Sequence, residues 1–271
     1  MLPVLFKIGP LTIHTYGFLL AVGVLSSMIL GIKLGKENNM NTKDLSDLIF
    51  YSVLIGLLGA KVYLFFTEFG YYTKDLSRIK DLLTQAGAFY GGLITGLLFA
   101  VWFIRKKKMY FKKIGDIAGP SIALGHFFGR MGCFAAGCCW GREAPGCSLG
   151  IIFPELSQDT GVPIGKLLFP TQITEAVLNL LNFVVLLFLY KKKRTFDGKI
   201  FAVYIFNYSV IRFFVEYFRG DHDRGYLFGG MDSPFLSISI PQLISIGGVI
   251  IAIFLYLKFR RDYMNNTITD Q

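Results

Sequence analysis

Two arginines interrupt segments of the sequence that are otherwise apolar. Arg130 lies in the segment 114–136, and Arg212 lies in the segment 199–217. An ionisable side chain in hydrocarbon is costly and is therefore a functional candidate. Glu216 follows Arg212 by four residues, so on a helix the two charges can form a pair. Arg130 has no carboxylate three or four residues away. We therefore expect it to bind an anion, and a distant carboxylate such as Glu175 is the alternative partner.

Phosphate is the anion that suits Arg130 best. A guanidinium group binds phosphate through two parallel donors, and a lipid phosphate is the commonest anion at this depth. At about 1.5 Å per helical residue, Arg130 lies roughly 24 Å beyond Ile114, and Arg212 lies roughly 18 Å beyond Ile200. Both side chains therefore fall in the far half of the bilayer. The predicted chemistry is binding of a lipid headgroup phosphate.

Further polar side chains fall in the same half of other apolar segments. These residues are Tyr16, Lys61, Tyr90, Gln172, Glu175 and Gln242. Together with the arginines they predict a polar cavity that opens to the outer leaflet. One segment also carries a helical stripe of polar residues, for which hydrogen bonding between helices and contact with substrate are equally good interpretations. The stripe consists of Gln172, Glu175, Asn179 and Asn182.

Small residues and cysteines are concentrated near these polar positions. The pair Gly91-Gly92 is typical of close packing between membrane helices, and it could also let lipid approach the backbone. The four cysteines are Cys133, Cys138, Cys139 and Cys147. Cys-x-x-Cys is absent, and no second Cys or His pair follows at the spacing of a zinc finger, so the spacing predicts no metal site. A disulfide in an oxidising compartment and simple apolar packing both stay open.

The elements that must position these residues are membrane-spanning helices. The 271-residue chain is 53% hydrophobic and only 17% charged, and its apolar stretches approach the ~20 residues that span a bilayer core. This composition excludes a disordered chain, a coiled coil and most soluble enzymes. We predict an all-α integral membrane protein, a single domain over residues 1–271 with seven transmembrane helices. The predicted spans are 13–33, 47–66, 86–104, 114–136, 170–190, 199–217 and 241–258.

The distribution of cationic residues predicts the orientation of these helices. Regions that would share one side of the membrane hold 17 of the 28 lysines and arginines, which marks that side as cytoplasmic. These regions are 31–46, 105–113, 191–199 and the tail from 258. The N-terminus is then periplasmic, the C-terminus cytoplasmic, and the long loops 137–169 and 218–240 periplasmic. The net charge of +10 is explained by this topology, so we predict no nucleic-acid partner.

The stretch from Gly125 to Gly141, GHFFGRMGCFAAGCCWG, resembles the signature of bacterial prolipoprotein diacylglyceryl transferases, which centres on Gly-Arg-x-Gly. Further matches stand in the order typical of that family and cover nearly the whole chain. They are His14-Thr-Tyr16-Gly17, Tyr90-Gly91-Gly92, Pro170-Thr-Gln172 with Glu175, Tyr208-x-x-x-Arg212-x-x-x-Glu216-x-x-Arg219, and Pro241-Gln242. Each motif is weak alone, and their combination is specific.

The resemblance implies an enzyme of the bacterial inner membrane. Such an enzyme transfers the diacylglyceryl group of phosphatidylglycerol to the lipobox cysteine of a preprolipoprotein signal peptide, forms a thioether and releases glycerol 1-phosphate. No metal or organic cofactor is implied. The implied catalytic residues are Arg130, Arg212, Tyr90 and Tyr16. The implied substrate-binding residues are Arg130, His14, Gly91, Gly92, Gly132, Gly137, Gly141, Gln172, Glu175, Tyr208, Glu216 and Arg219.

Some positions depart from the pattern of the family. Tyr90 stands where some members have a histidine that is a proposed base, and Cys133 stands where asparagine is common. The identity of the base is therefore open. His14 is a further candidate, although a structural hydrogen bond at the membrane interface is the preferred interpretation of this residue. A lipid-binding paralogue without transfer activity is one alternative function. A transporter is another, although its polar residues should lie near the midplane with some internal symmetry.

Overall fold

Helices make up most of the part of the chain that the structure describes. The computed structural model describes residues 2–9, 11–75, 78–84, 87–154, 161–221, 225–230 and 237–269. The helices are α1 (Thr15–Glu37), α2 (Thr42–Thr67), α3 (Phe69–Thr73), α4 (Ile79–Thr84), α5 (Phe89–Lys106), α6 (Phe111–Ala136), α7 (Thr171–Lys192), α8 (Lys199–Glu216) and α9 (Ile240–Thr269). Parts of both long loops, residues 155–160, 222–224 and 231–236, lie outside the described residues.

Apart from residue 86, which lies outside the described residues, the seven apolar segments of the sequence lie mostly within seven long helices. These are α1, α2, α5, α6, α7, α8 and α9, which have 18 to 30 residues each. Four helices within the described ranges are long and apolar enough to cross a bilayer, namely Thr15–Glu37, Thr42–Thr67, Thr171–Lys192 and Ile240–Asn266. The protein is therefore a mostly helical multi-pass membrane protein. Its seven-span topology and its orientation stay predictions.

Three short antiparallel strand pairs in the described part of the chain depart from the all-helical prediction. β1 (Val4–Ile8) pairs with β2 (Leu11–His14), β3 (Ile151–Ile152) with β4 (Leu167–Leu168), and β5 (Tyr226–Phe228) with β6 (Ile238–Ser239). The first pair precedes α1, and the other two lie in the long loops. Backbone groups outside helices need hydrogen-bond partners, which these ladders supply. Strands of two to five residues are too short to show a clear alternation of apolar side chains.

The chain forms two compact units, of which the first comprises Met1–Ile29 and Gly115–Gln271. In this unit α8 packs against both α7 and α9. Asp116 of α6 is fully buried, and its carboxylate accepts the backbone N–H groups of Gly198 at 2.8 Å and Phe201 at 3.1 Å. A side chain of α6 thus satisfies N–H groups that the start of α8 would otherwise leave unpaired.

The second unit, Leu30–Ile114, is built on the packing of α2 against α5. A Cβ on Gly91 would collide with the Tyr63 side chain, and a Cβ on Gly92 would lie 3.0 Å from the Gly56 carbonyl oxygen. Both glycines therefore let the backbones of the two helices approach closely. This confirms the packing interpretation of the Gly91-Gly92 pair.

Candidate functional site

A buried ion pair joins α6 to α7 at the first of the two arginines. The Arg130 Nη2 atom lies 2.9 Å from the Glu175 Oε1 atom, and 1% of the Glu175 side chain is exposed, against 19% for Arg130. Glu175, the distant carboxylate that the sequence analysis named as the alternative, is therefore a partner of Arg130, and binding of an anion by Arg130 stays a prediction. A carboxylate buried this deeply needs a counter-charge, because an unpaired buried charge is strongly destabilising.

Arg212 and Glu216 form the predicted pair on α8, with 2.8 Å between Nη2 and Oε2. The Oε1 atom of Glu216 accepts a hydrogen bond from the Ser239 hydroxyl at 3.1 Å. The remaining terminal nitrogen of Arg212, Nη1, is buried and has no hydrogen-bond partner among the described residues. A buried donor left in this state costs about 1–3 kcal/mol. The Nη1 group of Arg212 is therefore suited to donate a hydrogen bond to a bound ligand.

Tyr208 connects the two arginine–carboxylate pairs. It lies one helical turn before Arg212, and its hydroxyl interacts electrostatically with Arg130, Glu175 and Arg212. Its ring packs on that of His126 of α6, with 4.7 Å between the centroids. Three helices of the first unit thus place two guanidinium groups, two carboxylates and a phenol in one polar layer. The structure brings together these predicted residues: Arg130, Glu175, Tyr208, Arg212 and Glu216.

The polar stripe of α7 is buried along its whole length. The Gln172 Nε2 atom donates to the Cys138 carbonyl oxygen at 2.8 Å. The Asn182 Oδ1 atom accepts from Asn207 Nδ2 of α8 at 2.9 Å. Of the two interpretations of this stripe, the described contacts support hydrogen bonding between elements of the protein.

The start of α9 carries a polar arrangement that the sequence analysis missed. The Ser239 hydroxyl accepts the Gln242 backbone N–H at 3.3 Å, and the Gln242 Oε1 atom accepts the Ser239 backbone N–H at 3.0 Å. This reciprocal pair is a capping box. Because the same hydroxyl donates to Glu216, the cap of α9 also positions the partner of Arg212. A serine followed three residues later by glutamine, just before an apolar run, is the signal that could have revealed it.

A glycine turn ends α6. Gly137 has φ +80°, a conformation that glycine adopts without strain. The Gly137 N–H donates to the Phe134 carbonyl oxygen at 3.3 Å, and the Cys138 N–H donates to the Cys133 carbonyl oxygen at 3.1 Å. These two bonds form a Schellman motif. Cys139 follows with φ +59°. The turn therefore folds the chain back over the last turn of α6, and it gives Gly137 a structural role.

Beyond this turn the chain packs tightly against two other loop segments. Gly141 forms a β-bridge with Arg219, and a Cβ on Gly141 would collide with the Phe169 carbonyl oxygen. Arg219 is 6% exposed, and its guanidinium donates to the Asp221 carboxylate from Nε at 2.8 Å and from Nη2. Burial lowers the pKa of Arg219 and Asp221 raises it, with a net upward shift. Arg219 therefore stays charged.

Tyr16 lies in the first turn of α1, against α6. A Cβ on Gly132 would lie 3.1 Å from the Tyr16 Cδ2 atom, so the glycine makes room for the ring. The Tyr16 hydroxyl interacts electrostatically with Arg130, and 37% of the residue is exposed. His14 ends β2 opposite Val4 and is exposed. The structure thus places Tyr16 beside the polar layer and His14 on the adjoining hairpin.

The remaining predicted residues belong to the second unit. Tyr90 lies in the first turn of α5 and is 50% exposed, and Gly91 and Gly92 follow it on the face that packs against α2. The Lys61 ammonium of α2 donates to the Leu82 carbonyl oxygen at 2.8 Å, so it contacts its own unit. The roles of Tyr90 and the two glycines toward substrate stay predictions.

Comparison with known proteins gives a consistent picture over the whole chain. The family model for prolipoprotein diacylglyceryl transferase matches residues 3–258. The chain is 35% identical over 261 residues to phosphatidylglycerol–prolipoprotein diacylglyceryl transferase 2 of Clostridium perfringens, covering 96% of this chain and 97% of that relative. Relatives with the corresponding transferase name match from Bordetella avium, at 35% identity over 92% of each chain, and from Clostridium tetani, at 32% identity over 94% and 97%. The matched span includes all the predicted site residues.

Proposed function

Because the chain belongs to the prolipoprotein diacylglyceryl transferase family, we propose that it transfers the diacylglyceryl group of phosphatidylglycerol to the cysteine thiol of prolipoproteins. It is then a transferase that catalyses the first step of lipoprotein maturation. The structural observation that carries this proposal is the buried polar layer of the first unit. There Arg130 and Arg212 are each held by a carboxylate, and Arg212 keeps a donor without an acceptor among the described residues.

In the proposed reaction the acceptor sulfur attacks the glycerol carbon that bears the phosphate. A C–S bond forms, the C–O bond breaks, and the electron pair leaves with the phosphate of glycerol 1-phosphate, while the thiol proton passes to the leaving phosphate or to solvent. Negative charge grows on the leaving phosphate as the C–O bond breaks. Cationic groups fixed beside that phosphate therefore stabilise the transition state more than the ground state. The rate rises further if the protein holds the sulfur, the glycerol carbon and the leaving oxygen in line.

The two guanidinium groups are suited to this phosphate although both are already paired. Each guanidinium has five N–H donors, and one carboxylate engages only part of them. Glu175 and Glu216 therefore fix the orientation of Arg130 and Arg212 without saturating them. In this proposal Arg130 holds the headgroup phosphate, and the free donor of Arg212 binds the same phosphate as it leaves. Tyr208 lies between them and completes the pocket.

Tyr16 and Tyr90 complete the catalytic set in this proposal. Tyr16 interacts electrostatically with Arg130, which supports a contact between its hydroxyl and the headgroup that Arg130 holds. Tyr90 is half exposed and hydrogen-bonds the substrate in place of the histidine found in some family members. The other proposed substrate contacts are His14, Gly91, Gly92, Gly132, Gly137, Gly141, Gln172 and Arg219.

The proposed membrane arrangement follows from the helices and the charges. Seven described helices of 18 residues or more support seven spans, and a single membrane domain over residues 1–271 stays a prediction. The cationic regions between them favour a periplasmic N-terminus, a cytoplasmic C-terminus and a polar cavity open to the outer leaflet of the inner membrane. Its partners are then phosphatidylglycerol, the surrounding bilayer and lipobox signal peptides. No cofactor or nucleic acid enters the reaction.

The test is a transfer assay with purified full-length protein in vesicles that contain phosphatidylglycerol labelled in its acyl chains. A lipobox peptide should gain the labelled diacylglyceryl group, and an equal amount of glycerol 1-phosphate should appear. A peptide with serine in place of the lipobox cysteine is the control and should stay unlabelled. Binding of phosphatidylglycerol without transfer would overturn the proposal in favour of a lipid-binding paralogue.

A further inference from the structure

Three thiols meet where α6 ends. The Sγ atoms of Cys133, Cys138 and Cys139 all lie within 4.8 Å of one another, and each is a free, partly buried cysteine. Cys147, which the structure also describes, is not part of this group. We propose that the three-thiol cluster, Cys133, Cys138 and Cys139, binds one thiophilic d10 metal ion of the Zn²⁺ class through three thiolates.

The spacing of the sulfur atoms suits such an ion. With Zn–S bonds of about 2.3 Å, sulfurs around a tetrahedral zinc are roughly 3.8 Å apart. The Sγ atoms of the cluster are at most 4.8 Å apart, so each pair must close by about 1 Å or less, which small side-chain rotations achieve. Three protein ligands leave the fourth tetrahedral position for water or another small ligand, as in open zinc sites.

The backbone that carries the thiols is held in place from α7. The Thr171 hydroxyl donates to the Cys139 carbonyl oxygen at 2.8 Å, and the Gln172 amide donates to the Cys138 carbonyl oxygen at 2.8 Å. Cys139 keeps a positive φ, which a residue with a side chain retains only where its surroundings determine it. The cluster is therefore a constrained arrangement. The spacing of the cysteines along the sequence predicted no metal site. It does not reveal the glycine turn that brings residues 138 and 139 back to Cys133.

The surrounding charges favour a metal–thiolate group. Three thiolates and one divalent ion carry a net charge of −1. Arg130 interacts electrostatically with Cys133, and both Arg219 and Arg130 interact with Cys139, so two cations offset that charge. Thiolates without oxygen ligands select soft or borderline metals over Mg²⁺ and Ca²⁺. The chemistry of the cluster thus indicates a thiophilic ion.

The first test uses the wild-type full-length protein in detergent, reduced, and stripped of metal with a chelator. Titration with Cd²⁺ should produce thiolate-to-cadmium charge-transfer absorption that saturates at one ion per chain, and added Zn²⁺ should displace it. Bound Zn²⁺ should also protect the three cluster thiols from maleimide, while Cys147 stays reactive. Absence of the absorption, or protection of fewer than three thiols, would overturn the proposal. So would a disulfide between two cluster cysteines in protein alkylated within native membranes.

Serine variants test which thiols bind the ion. Cys139→Ser should weaken Cd²⁺ binding at least about 10-fold. Loss of a group that only hydrogen-bonds to a metal ligand already weakens metal binding by that factor, and Cys139 is proposed as a ligand itself. Cys147→Ser is the matched control from the same loop and should bind Cd²⁺ as tightly as the wild type. Both variants are compared at equal thermal stability. Equal affinities in the two variants would contradict the proposal. None of these measurements depends on transfer activity, so the metal site and the proposed function fail independently.

Discussion

The Arg130 guanidinium of α6 lies 2.9 Å from the Glu175 carboxylate of α7. This contact supplies the counter-charge that a buried arginine requires. It also holds the guanidinium in one orientation while part of the Arg130 side chain stays accessible. An arginine can therefore be kept at this depth in the absence of substrate and still offer donors to a phosphate.

Glu175→Gln tests the buried ion pair. The substitution keeps nearly the same shape but removes the charge that balances Arg130. Loss of one partner from a buried pair costs about 3–5 kcal/mol, and we expect about 3 kcal/mol because Arg130 is partly exposed. The thermal unfolding midpoint in detergent should fall clearly. The transfer rate of the remaining folded protein should fall as well, since the guanidinium loses its fixed orientation.

Glu143→Gln is the matched control for this variant. Glu143 pairs with Lys166, and more than half of each side chain is exposed. Exposed pairs contribute about 0–1 kcal/mol, so the unfolding midpoint of Glu143→Gln should stay close to that of the wild type. Equal losses of stability in the two glutamine variants would contradict the structural importance assigned to the Arg130–Glu175 pair.

Ser239→Ala tests the link between α9 and α8. The variant removes the cap of α9 and the hydrogen bond to Glu216, and loss of a helix cap alone costs about 0.5–2 kcal/mol. We expect a lower unfolding midpoint and a reduced transfer rate, because the partner of Arg212 is less well held. Ser245→Ala, whose hydroxyl donates only to the Pro241 carbonyl oxygen of its own helix in the described contacts, is the control. Equal unfolding midpoints for Ser239→Ala and Ser245→Ala would show that the capping box does not stabilise the protein.

Gly91→Ala tests the packing of α5 on α2. A Cβ at this position would collide with Tyr63, and overpacking typically costs about 1–3 kcal/mol. Gly247→Ala on α9 is the control, since nothing lies within 4 Å of its added Cβ and alanine favours a helix over glycine by about 1 kcal/mol. Thermal unfolding should show a loss of stability only for Gly91→Ala. A Gly91→Ala protein of wild-type stability that has lost transfer would instead assign Gly91 to substrate contact.

Local patterns revealed the features that depend on neighbours in the sequence. The apolar segments predicted where the long helices lie, because a long apolar run is typical of a membrane helix. They did not predict every helix end: α9 continues to Thr269, beyond the apolar segment that ends at 258. The Arg212–Glu216 pair was predictable from its spacing of four residues on one helix. The Ser239–Gln242 capping box could have been recognised in the same way.

Features that join distant parts of the chain could be predicted only in part: Glu175 was named as an alternative partner of Arg130, but the sequence could not select it over another anion. Glu175 meets Arg130 only because α6 and α7 pack together, and no spacing along one helix expresses that contact. The three-thiol cluster depends on the positive φ angles of Gly137 and Cys139. The Asp221 partner of Arg219 lies in a loop, where a separation of two residues carries no helical signal.

The most direct measurement of phosphate binding by Arg130 is the initial transfer rate against phosphatidylglycerol concentration for purified variants of matched thermal stability. Lysine keeps the charge but loses the two-donor geometry. The loss of one charge-assisted contact is worth roughly 1.5–3 kcal/mol, or about 10- to 150-fold in rate. Arg130→Lys should therefore fold and insert yet lose most of its activity, and Arg130→Ala should abolish transfer. Wild-type rates for Arg130→Ala at low phosphatidylglycerol would contradict a phosphate-binding role and leave Arg130 as a structural partner of Glu175.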